Sequence, residues 1–166
     1  MHKKIIDLII SLIYSLIDIN NWKSPPKKKI IIYDTTGVDV LKKYFHEHDY
    51  TILKVRFENN DKINFYIIIK LLFNLEFNII KKYKFEYIKC VSPLFIISMS
   101  DYNYAFYRLK KIFPNIKFIL IQFAWRHVII DSLPENEKNT ITNIKNNLDF
   151  FIVFNDFIKQ EFKKII

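Results

Sequence analysis

The segment FILIQFAWR, residues 118–126, changes within a few positions from apolar residues to residues that can do chemistry. Gln122 follows an apolar run, and Trp125 and Arg126 come shortly after it. An amide can hydrogen-bond a hydroxyl group, and a guanidinium can bind two oxygens of a phosphate. The segment therefore predicts a site for a polar ligand at the end of a buried strand.

Polar residues also follow the other apolar runs of the chain. They are Asp34 and Gly37 after the first run; Arg56, Glu58 and Asn64 after the second; Ser98, Ser100, Asp101 and Asn103 after the third; and Asn155 and Asp156 after the fifth. Carboxylates in such places can take a proton or orient a hydroxyl, and arginines can bind phosphate. Each aspartate can equally cap the helix that follows it, and Arg56 with Glu58 can form a surface ion pair.

The apolar runs are predicted to be β-strands that alternate with helices. The strands are expected at 29–34, 50–56, 93–100, 116–123 and 148–155, and the helices at 35–49, 62–74, 76–89, 102–113, from 134 onward and at 156–166. Runs that are apolar on both faces and separated by helices are typical of a parallel sheet covered on both sides. We therefore predict an α/β fold, a doubly wound Rossmann-like parallel sheet of about five strands. Ligands of such sheets bind beyond the carboxyl ends of the strands, so the polar residues are expected to share one crevice.

The chain is predicted to have three parts. Residues 1–21 form an extra N-terminal helix, residues 22–30 a basic linker with two prolines, and residues 31–166 the α/β domain. Polar residues recur along the first part at helical spacing, so one stripe of an otherwise apolar helix is polar. Because the apolar run is short for a membrane span, the helix either packs on the domain or lies in a membrane interface.

The composition excludes several classes of protein. A chain of 166 residues with 51% hydrophobic residues can bury a sizeable core and is not a disordered tail. The single cysteine, Cys90, excludes an internal disulfide and a Cys-pair zinc site, which fits a cytoplasmic protein. The single glycine, Gly37, excludes the dinucleotide fingerprint and the P-loop, so no cofactor is predicted. HEHD at 46–49 has metal-binding residue types but falls at the edge opposite the strand tips, and no metal site is predicted.

The formal net charge of +9 is a weak argument for function. The abundance of Ile, Lys, Asn, Phe and Tyr indicates AT-rich codons, which by themselves favour surface lysines, so we expect no nucleic-acid partner. A second interpretation is attraction to anionic lipid, because several lysines adjoin the predicted N-terminal helix. These are Lys23, Lys27, Lys28 and Lys29. We expect a cytoplasmic location, with peripheral contact at the inner face of the membrane as the alternative.

Four segments together resemble a known family. They are KKKIIIYDTTGVDVLKKYF, ILKVRFE…IN, SMSDYNYAFYRLKKIFPNIKFILIQFAWR and DFFIVFNDFIKQEFKKII, in this order. Over residues 22–166 they resemble the amino-terminal half of a family of bacterial surface carbohydrate (lipopolysaccharide or capsule) biosynthesis proteins. Members of that family are regarded as glycosyltransferases of the two-domain GT-B type and are distantly similar to the CDP-glycerol glycerophosphotransferases.

The chain departs from the family pattern at two places. It has Asp101, Tyr102 and Asn103 where the family usually has Asp-Asn-Asn. It has the sequence QFAWR at 122–126 where the family usually has Gln-Asn-Gly-x-Arg. The missing glycine removes a residue that lets backbone approach a ligand or adopt positive φ, so a divergent or degraded member is an alternative.

The resemblance implies the acceptor-side domain of a glycosyltransferase. The nucleotide-sugar donor would bind mainly to a carboxyl-terminal domain outside this chain, and a glycan or lipid-linked acceptor would lie at the strand tips. Asp101 would take the proton from the attacking hydroxyl or would only orient that hydroxyl. Asp34 and Glu58 are reserve carboxylates for the same role.

The resemblance also implies roles in binding the substrate. Arg56 and Arg126 would pair with phosphate on the acceptor or the donor. Gln122 and Asn103 would hold sugar hydroxyls. Gly37 and Asn64 complete the expected substrate-binding set. A non-catalytic α/β binding module is the main alternative function, and a basic nucleic-acid-binding protein is the weaker one.

Overall fold

The computed structural model describes residues 16, 18–54, 63–74, 79–100, 104–122, 148–153 and 156. A 3₁₀ turn at Ile19–Trp22 comes first. The strands are β1 (Ile30–Tyr33), β2 (Tyr50–Leu53), β3 (Phe95–Ser98), β4 (Lys117–Ile121) and β5 (Phe150–Ile152). The helices are α1 (Val38–Leu41), α2 (Phe65–Phe73), α3 (Ile79–Val91) and α4 (Tyr104–Ile112).

The strands form one sheet in the order β2-β1-β3-β4-β5, and every neighbouring pair is parallel. The predicted α/β fold with a Rossmann-like parallel sheet of five strands is therefore confirmed. Ile32 of β1 pairs with Ile97 of β3, and Ser98 of β3 pairs with Leu120 of β4. Because all the strands run in the same direction, their carboxyl ends meet at one edge of the sheet.

The two faces of the sheet carry separate cores, because successive side chains of a strand point to opposite faces. The first face packs under α2, α3 and α4. Its fully buried strand residues are Ile31, Tyr33, Ile96, Phe118 and Leu120. The second face packs against Leu41 of α1 and holds a smaller core of Ile32, Ile97 and Met99. Helices thus cover both faces, as the apolar strands predict.

The helix α1 is a single turn, although the sequence pattern predicts a helix over 35–49. After Leu41 the chain forms turns, and two of its carbonyl oxygens bond to the linker. Lys28 Nζ donates to the oxygens of Glu47 (3.1 Å) and His48 (2.8 Å). These bonds hold the chain in a turn ahead of β2, so the predicted length of this helix is wrong.

The longer helices lie close to their predicted positions, and their ends have identifiable causes. Asn64 is the N-cap of α2, and its Oδ1 accepts the N–H of Ile67 at 3.1 Å. At the other end of the series, α4 stops at Ile112, ahead of Pro114. Lys110 in the last turn of α4 donates from Nζ to the carbonyl oxygen of Pro114 at 2.9 Å. A second bond from the same Nζ to the carbonyl oxygen of Ile116, at 2.8 Å, fastens the turn after α4 to the end of the helix.

Asp149 fastens the amino end of β5 to the rest of the domain. Its Oδ2 accepts the backbone N–H of Phe118 at 2.8 Å and lies 2.8 Å from Lys110 Nζ. Its Oδ1 accepts from Lys117 Nζ at 3.0 Å. One carboxylate therefore joins α4, β4 and β5 at the amino edge of the sheet.

Most of the predicted N-terminal helix lies outside the described residues. Where the description begins, Asp18 caps the 3₁₀ turn, because its Oδ1 accepts the N–H of Asn20 at 3.0 Å. The linker after this turn is extended, and its Pro25 is buried. Within the described part of the chain, none of the helices combines the length and the apolar character needed to cross a bilayer.

Candidate functional site

The connections of the sheet diverge between β1 and β3. From β1 the chain goes to β2 on one side, and the later strands are added on the other side through β3. Open α/β sheets bind their ligands at this switch point, in the crevice beyond the carboxyl ends of the strands. The residues to consider first are therefore those at the ends of β1 and β3.

Asp34 follows β1 directly and is fully buried. Its φ of +80° lies in the left-handed region, which costs a residue other than glycine roughly 1–2 kcal/mol. Its Oδ1 accepts the N–H of Thr35 at 2.7 Å, and its own N–H donates to the oxygen of Leu53 at 3.0 Å. A strained, buried carboxylate at the switch point is a reason to suspect function.

Gly37 ends the turn that starts at Asp34. It is the N-cap of α1, and its φ is +72°. A Cβ at this position would collide with Sδ of Met99, which follows β3. The glycine therefore lets the turn after β1 pack against the end of β3, which explains its presence without a contact to substrate.

Three polar side chains line the first face of the sheet at its carboxyl edge. Ser98 follows Ile97, the partner of Ile32, so it is level with Tyr33. Gln122 lies two residues beyond Leu120, the partner of Ser98, and therefore on the same face. Tyr33 and Ser98 are fully buried and Gln122 is 3% exposed. Neighbouring strands thus carry a phenol and a hydroxyl at the same level, and an amide two residues further along on the same face.

The hydroxyl of Tyr33 is buried and has no hydrogen-bond partner among the described residues. Burial raises its pKa far above the usual value, and the negative charge of Asp34 raises it further. Two other tyrosines of the same core differ in this respect. The oxygen of Tyr83 accepts the N–H of Asn64 at 2.9 Å, and that of Tyr87 lies 3.0 Å from Thr51 Oγ1.

Lys84 of α3 lies near enough to Asp34 for their charges to interact. Burial lowers the pKa of its amino group, and the charge of Asp34 partly opposes that shift, so the two charges interact. We call Tyr33, Asp34, Lys84, Ser98 and Gln122 the switch-point cluster. It combines hydrogen-bond donors, acceptors and both signs of charge in a buried place.

The structure brings together some of the predicted site residues. Asp34 and Gln122 lie in the switch-point cluster, whereas Gly37 packs against Met99 on the second face of the sheet. Asn64 does not join them: its Oδ1 caps α2, and its Nδ2 donates to the carbonyl oxygen of Lys23 at 3.0 Å. The other predicted residues lie outside the described residues and stay predictions. They are Arg56, Glu58, Asp101, Asn103 and Arg126.

Sequence reasoning missed Tyr33 and Lys84. A signal for Tyr33 exists, because it ends the run IIIY and is its only residue with a polar side-chain atom. Nothing in the sequence singles out Lys84 among the lysines of α3, since its position depends on how the helix packs over the sheet. Helix rotation is set by the core and is not visible in a lysine-rich pattern.

The HEHD segment lies at the amino edge of the sheet, away from the cluster, ahead of β2. The rings of His46 and His48 stack with centroids 5.5 Å apart. Asp49 is bound to Lys29 at 2.8 Å and lies 3.4 Å from His48 Nε2. Within the described ranges, no group of three or more His, Cys, Asp or Glu residues could hold a metal ion.

The switch-point cluster contains the kinds of donor and acceptor that a ligand with several hydroxyl or phosphate groups would need. Asp34 and Gln122 offer acceptors, and Gln122, Tyr33 and Lys84 offer donors. Buried polar groups of this kind bind strongly when a ligand satisfies them and are costly when nothing does. Comparison with known proteins neither adds to this geometry nor contradicts it: no family model, no curated protein and no solved structure matches the chain.

Proposed function

We propose that the chain is the acceptor-side domain of a GT-B-type glycosyltransferase of bacterial surface carbohydrate biosynthesis. The observation that supports this best is the switch-point cluster, a buried set of polar side chains where α/β sheets bind ligands. A sugar acceptor carries many hydroxyls, and an amide, a phenol and a carboxylate are the groups that hold them. The nucleotide-sugar donor would bind mainly to a second domain.

Four of the five residues of the cluster have a proposed part in holding the acceptor. Asp34 would accept a hydrogen bond from a sugar hydroxyl, and Gln122 would both donate and accept. The Tyr33 hydroxyl, which lacks a partner among the described residues, would bond to the same sugar. Lys84 would place a positive charge beside phosphate on a lipid-linked acceptor.

Ligand binding to the full chain tests this proposal. The probes are methyl glycosides of common hexoses and the corresponding sugar 1-phosphates, with binding followed by saturation-transfer NMR. Gln122→Met keeps the side-chain length and removes the amide, so it should weaken binding about tenfold. Asn115→Met, an exposed amide at the opposite edge of the sheet, is the matched control and should change nothing. Equal affinity in both variants would contradict the proposed site.

The catalytic part of the proposal concerns Asp101, which the resemblance makes the base. The assay uses the chain assembled with its donor-binding domain, a nucleotide-sugar and a lipid-linked acceptor. Asp101→Asn should lower turnover by about 10² or more and leave the melting temperature nearly unchanged. A stable and fully active variant would remove Asp101 from this role. A variant that melts earlier and keeps its turnover would show that the carboxylate is a helix cap.

A non-catalytic binding module is the second candidate. It is favoured by the sequence QFAWR at 122–126, which lacks the glycine of the family pattern. This candidate predicts the same loss of glycan binding in Gln122→Met. It differs in predicting no glycosyl transfer by the chain with any donor-binding domain, and the assay with Asp101 intact separates the two.

A further inference from the structure

The helix α2 exposes an apolar surface. Its residues read FYIIIKLLF, so Lys70 is its only charged position. Its inner side packs on the sheet through Ile67 and Leu71, which are almost fully buried. Four large side chains lie on the outer side, with exposed fractions of 37% for Tyr66 and Ile69, 54% for Leu72 and 84% for Phe73. We call these four residues the α2 face.

Another helix on the same side of the sheet shows what the outer side of such a helix normally carries. On α4, Arg108 and Lys111 are exposed while Phe106 and Leu109 are buried. This is the ordinary pattern of a helix with one side in water. The α2 face breaks that pattern, and contiguous exposed apolar surface of this kind marks a contact site.

The linker extends this surface at the start of α2. Trp22 stacks on Phe65 with ring centroids 5.0 Å apart and an interplanar angle of 17°, and it is 45% exposed. The amide of Asn64 holds the carbonyl of Lys23 at 3.0 Å, which fixes the linker there. Tryptophan and tyrosine have an apolar body and one polar atom, and both are enriched where a membrane meets water.

The helices α2 and α3 carry a net positive charge. On α2 and α3 together, the lysines are Lys70, Lys81, Lys82, Lys84 and Lys89. The same two helices carry one carboxylate, Glu86, which is already bound by Lys70 at 2.6 Å and Lys89 at 3.4 Å. By sequence the two helices carry five lysines and one glutamate, a formal charge of +4, which complements an anionic surface.

We propose that the α2 face docks the protein on the surface of an anionic lipid bilayer. A helix of nine residues is about 13 Å long, so it can lie flat in the interface but not span the membrane. Its apolar side chains would enter the boundary between headgroups and acyl chains, and the exposed amino groups of Lys70 and Lys89 would face the anionic headgroups. The inference goes beyond the proposed function, because it holds whatever ligand the switch-point cluster binds.

Vesicle sedimentation with the full chain tests the docking. Vesicles of phosphatidylglycerol and phosphatidylethanolamine should bind the protein, and vesicles of phosphatidylcholine should bind it at least about tenfold less. Raising the salt from about 0.1 M to about 1 M shortens the Debye length from about 10 Å to about 3 Å and should weaken the binding. Equal binding to both kinds of vesicle would overturn the electrostatic part of the proposal.

Matched variants locate the contact. Ile69→Gln with Phe73→Gln removes two exposed apolar side chains of the α2 face and should weaken vesicle binding about tenfold or more. The control, Tyr44→Gln with Ile112→Gln, alters side chains that are also exposed, by 76% and 46%, elsewhere on the molecule. The control should bind as the unchanged protein does. Equal loss in both pairs, or loss in neither, would overturn the assignment to α2.

The fluorescence of Trp22 provides a second readout. In a Trp125→Phe background Trp22 is the only tryptophan, and brominated phosphatidylglycerol should quench it when the α2 face is docked. Quenching that disappears in the Ile69→Gln, Phe73→Gln variant supports the proposal. The opposite result would be an unchanged protein that does not bind vesicles but forms a dimer in analytical ultracentrifugation. If the Ile69→Gln, Phe73→Gln variant is then a monomer, the α2 face binds a second copy of the chain, and the membrane proposal is wrong.

Discussion

At the scale of single residues, removal of the Tyr33 hydroxyl distinguishes a structural role of this group from a role in ligand binding. A buried hydroxyl without a partner lowers the free energy of unfolding, so Tyr33→Phe should raise that free energy by up to about 1 kcal/mol. Urea unfolding measures the change. If the hydroxyl serves a ligand, the same variant should also bind the glycan probes less well.

Tyr83→Phe is the matched control for this prediction. It removes an equally buried hydroxyl, but one that accepts the N–H of Asn64 at 2.9 Å. Its free energy of unfolding should fall by about 1 kcal/mol, because the amide loses its acceptor. A destabilised Tyr33→Phe would mean that this hydroxyl has a structural partner, and it would then lose its place in the proposed site.

Gly37 yields a prediction of the opposite sign. Gly37→Ala puts a Cβ at φ +72° and against Met99, which should lower the free energy of unfolding by about 2–4 kcal/mol. In a Met99→Ala background the collision is absent. Gly37→Ala should then lower the free energy of unfolding by only about 1 kcal/mol, which is the cost of a positive φ at an alanine. Chemical unfolding of all four proteins gives this cycle. A cost that is equal in both backgrounds would show that Met99 is not the obstacle.

At the scale of elements, the attachment of β5 through Asp149 depends on pH. Burial by itself would raise the pKa of Asp149, but hydrogen bonds from Lys110, the N–H of Phe118 and Lys117 lower it to about 2. A carboxyl group whose folded pKa is depressed stabilises the protein above its unfolded pKa of 3.8 and loses that effect as the pH falls towards 2.

Asp149→Asn tests the same attachment. The variant should lose about 1–2 kcal/mol of stability at pH 7, after allowance for solvent screening. Between about pH 5 and pH 2 the free energy of unfolding of the variant should fall less than that of the unchanged protein, because position 149 then has no carboxylate to protonate. Thermal unfolding across this range measures both effects. Parallel pH profiles of the two proteins would contradict the role given to Asp149.

Elements also differ in how well the sequence predicts them. Strands and long helices are predicted well, because β-branched runs and the spacing of apolar residues record which faces are buried. The helix predicted over 35–49 is shortened to Val38–Leu41, and in the turns that follow it Lys28 of the linker bonds to the carbonyl oxygens of Glu47 and His48. Such a contact joins distant parts of the chain, and local periodicity carries no trace of it.

At the scale of the whole molecule, the parallel direction of the strands is what makes the site predictable. Asp34 and Gln122 are far apart in sequence, yet each comes directly after a strand, and parallel strands bring their carboxyl-terminal residues to one edge. Asn64 also comes after the second strand, but it caps α2, because an Asn ahead of an apolar helix fits both roles equally well. The positions of Tyr33 and Lys84 in the cluster depend on strand register and helix packing, which cannot be predicted from the local sequence.

The strand order also has a consequence for synthesis on the ribosome. The order β2-β1-β3-β4-β5 lets four strands pair before β5 is made, which leaves the free side of β4 as an open edge. The 28 residues from 122 to 149 separate β4 from β5, so at about 5–20 residues per second that edge waits about 1.4 to 5.6 seconds for its partner. An open edge can pair with the same edge of another nascent chain. Slow translation between these two strands should therefore favour aggregation of neighbouring chains on one polysome.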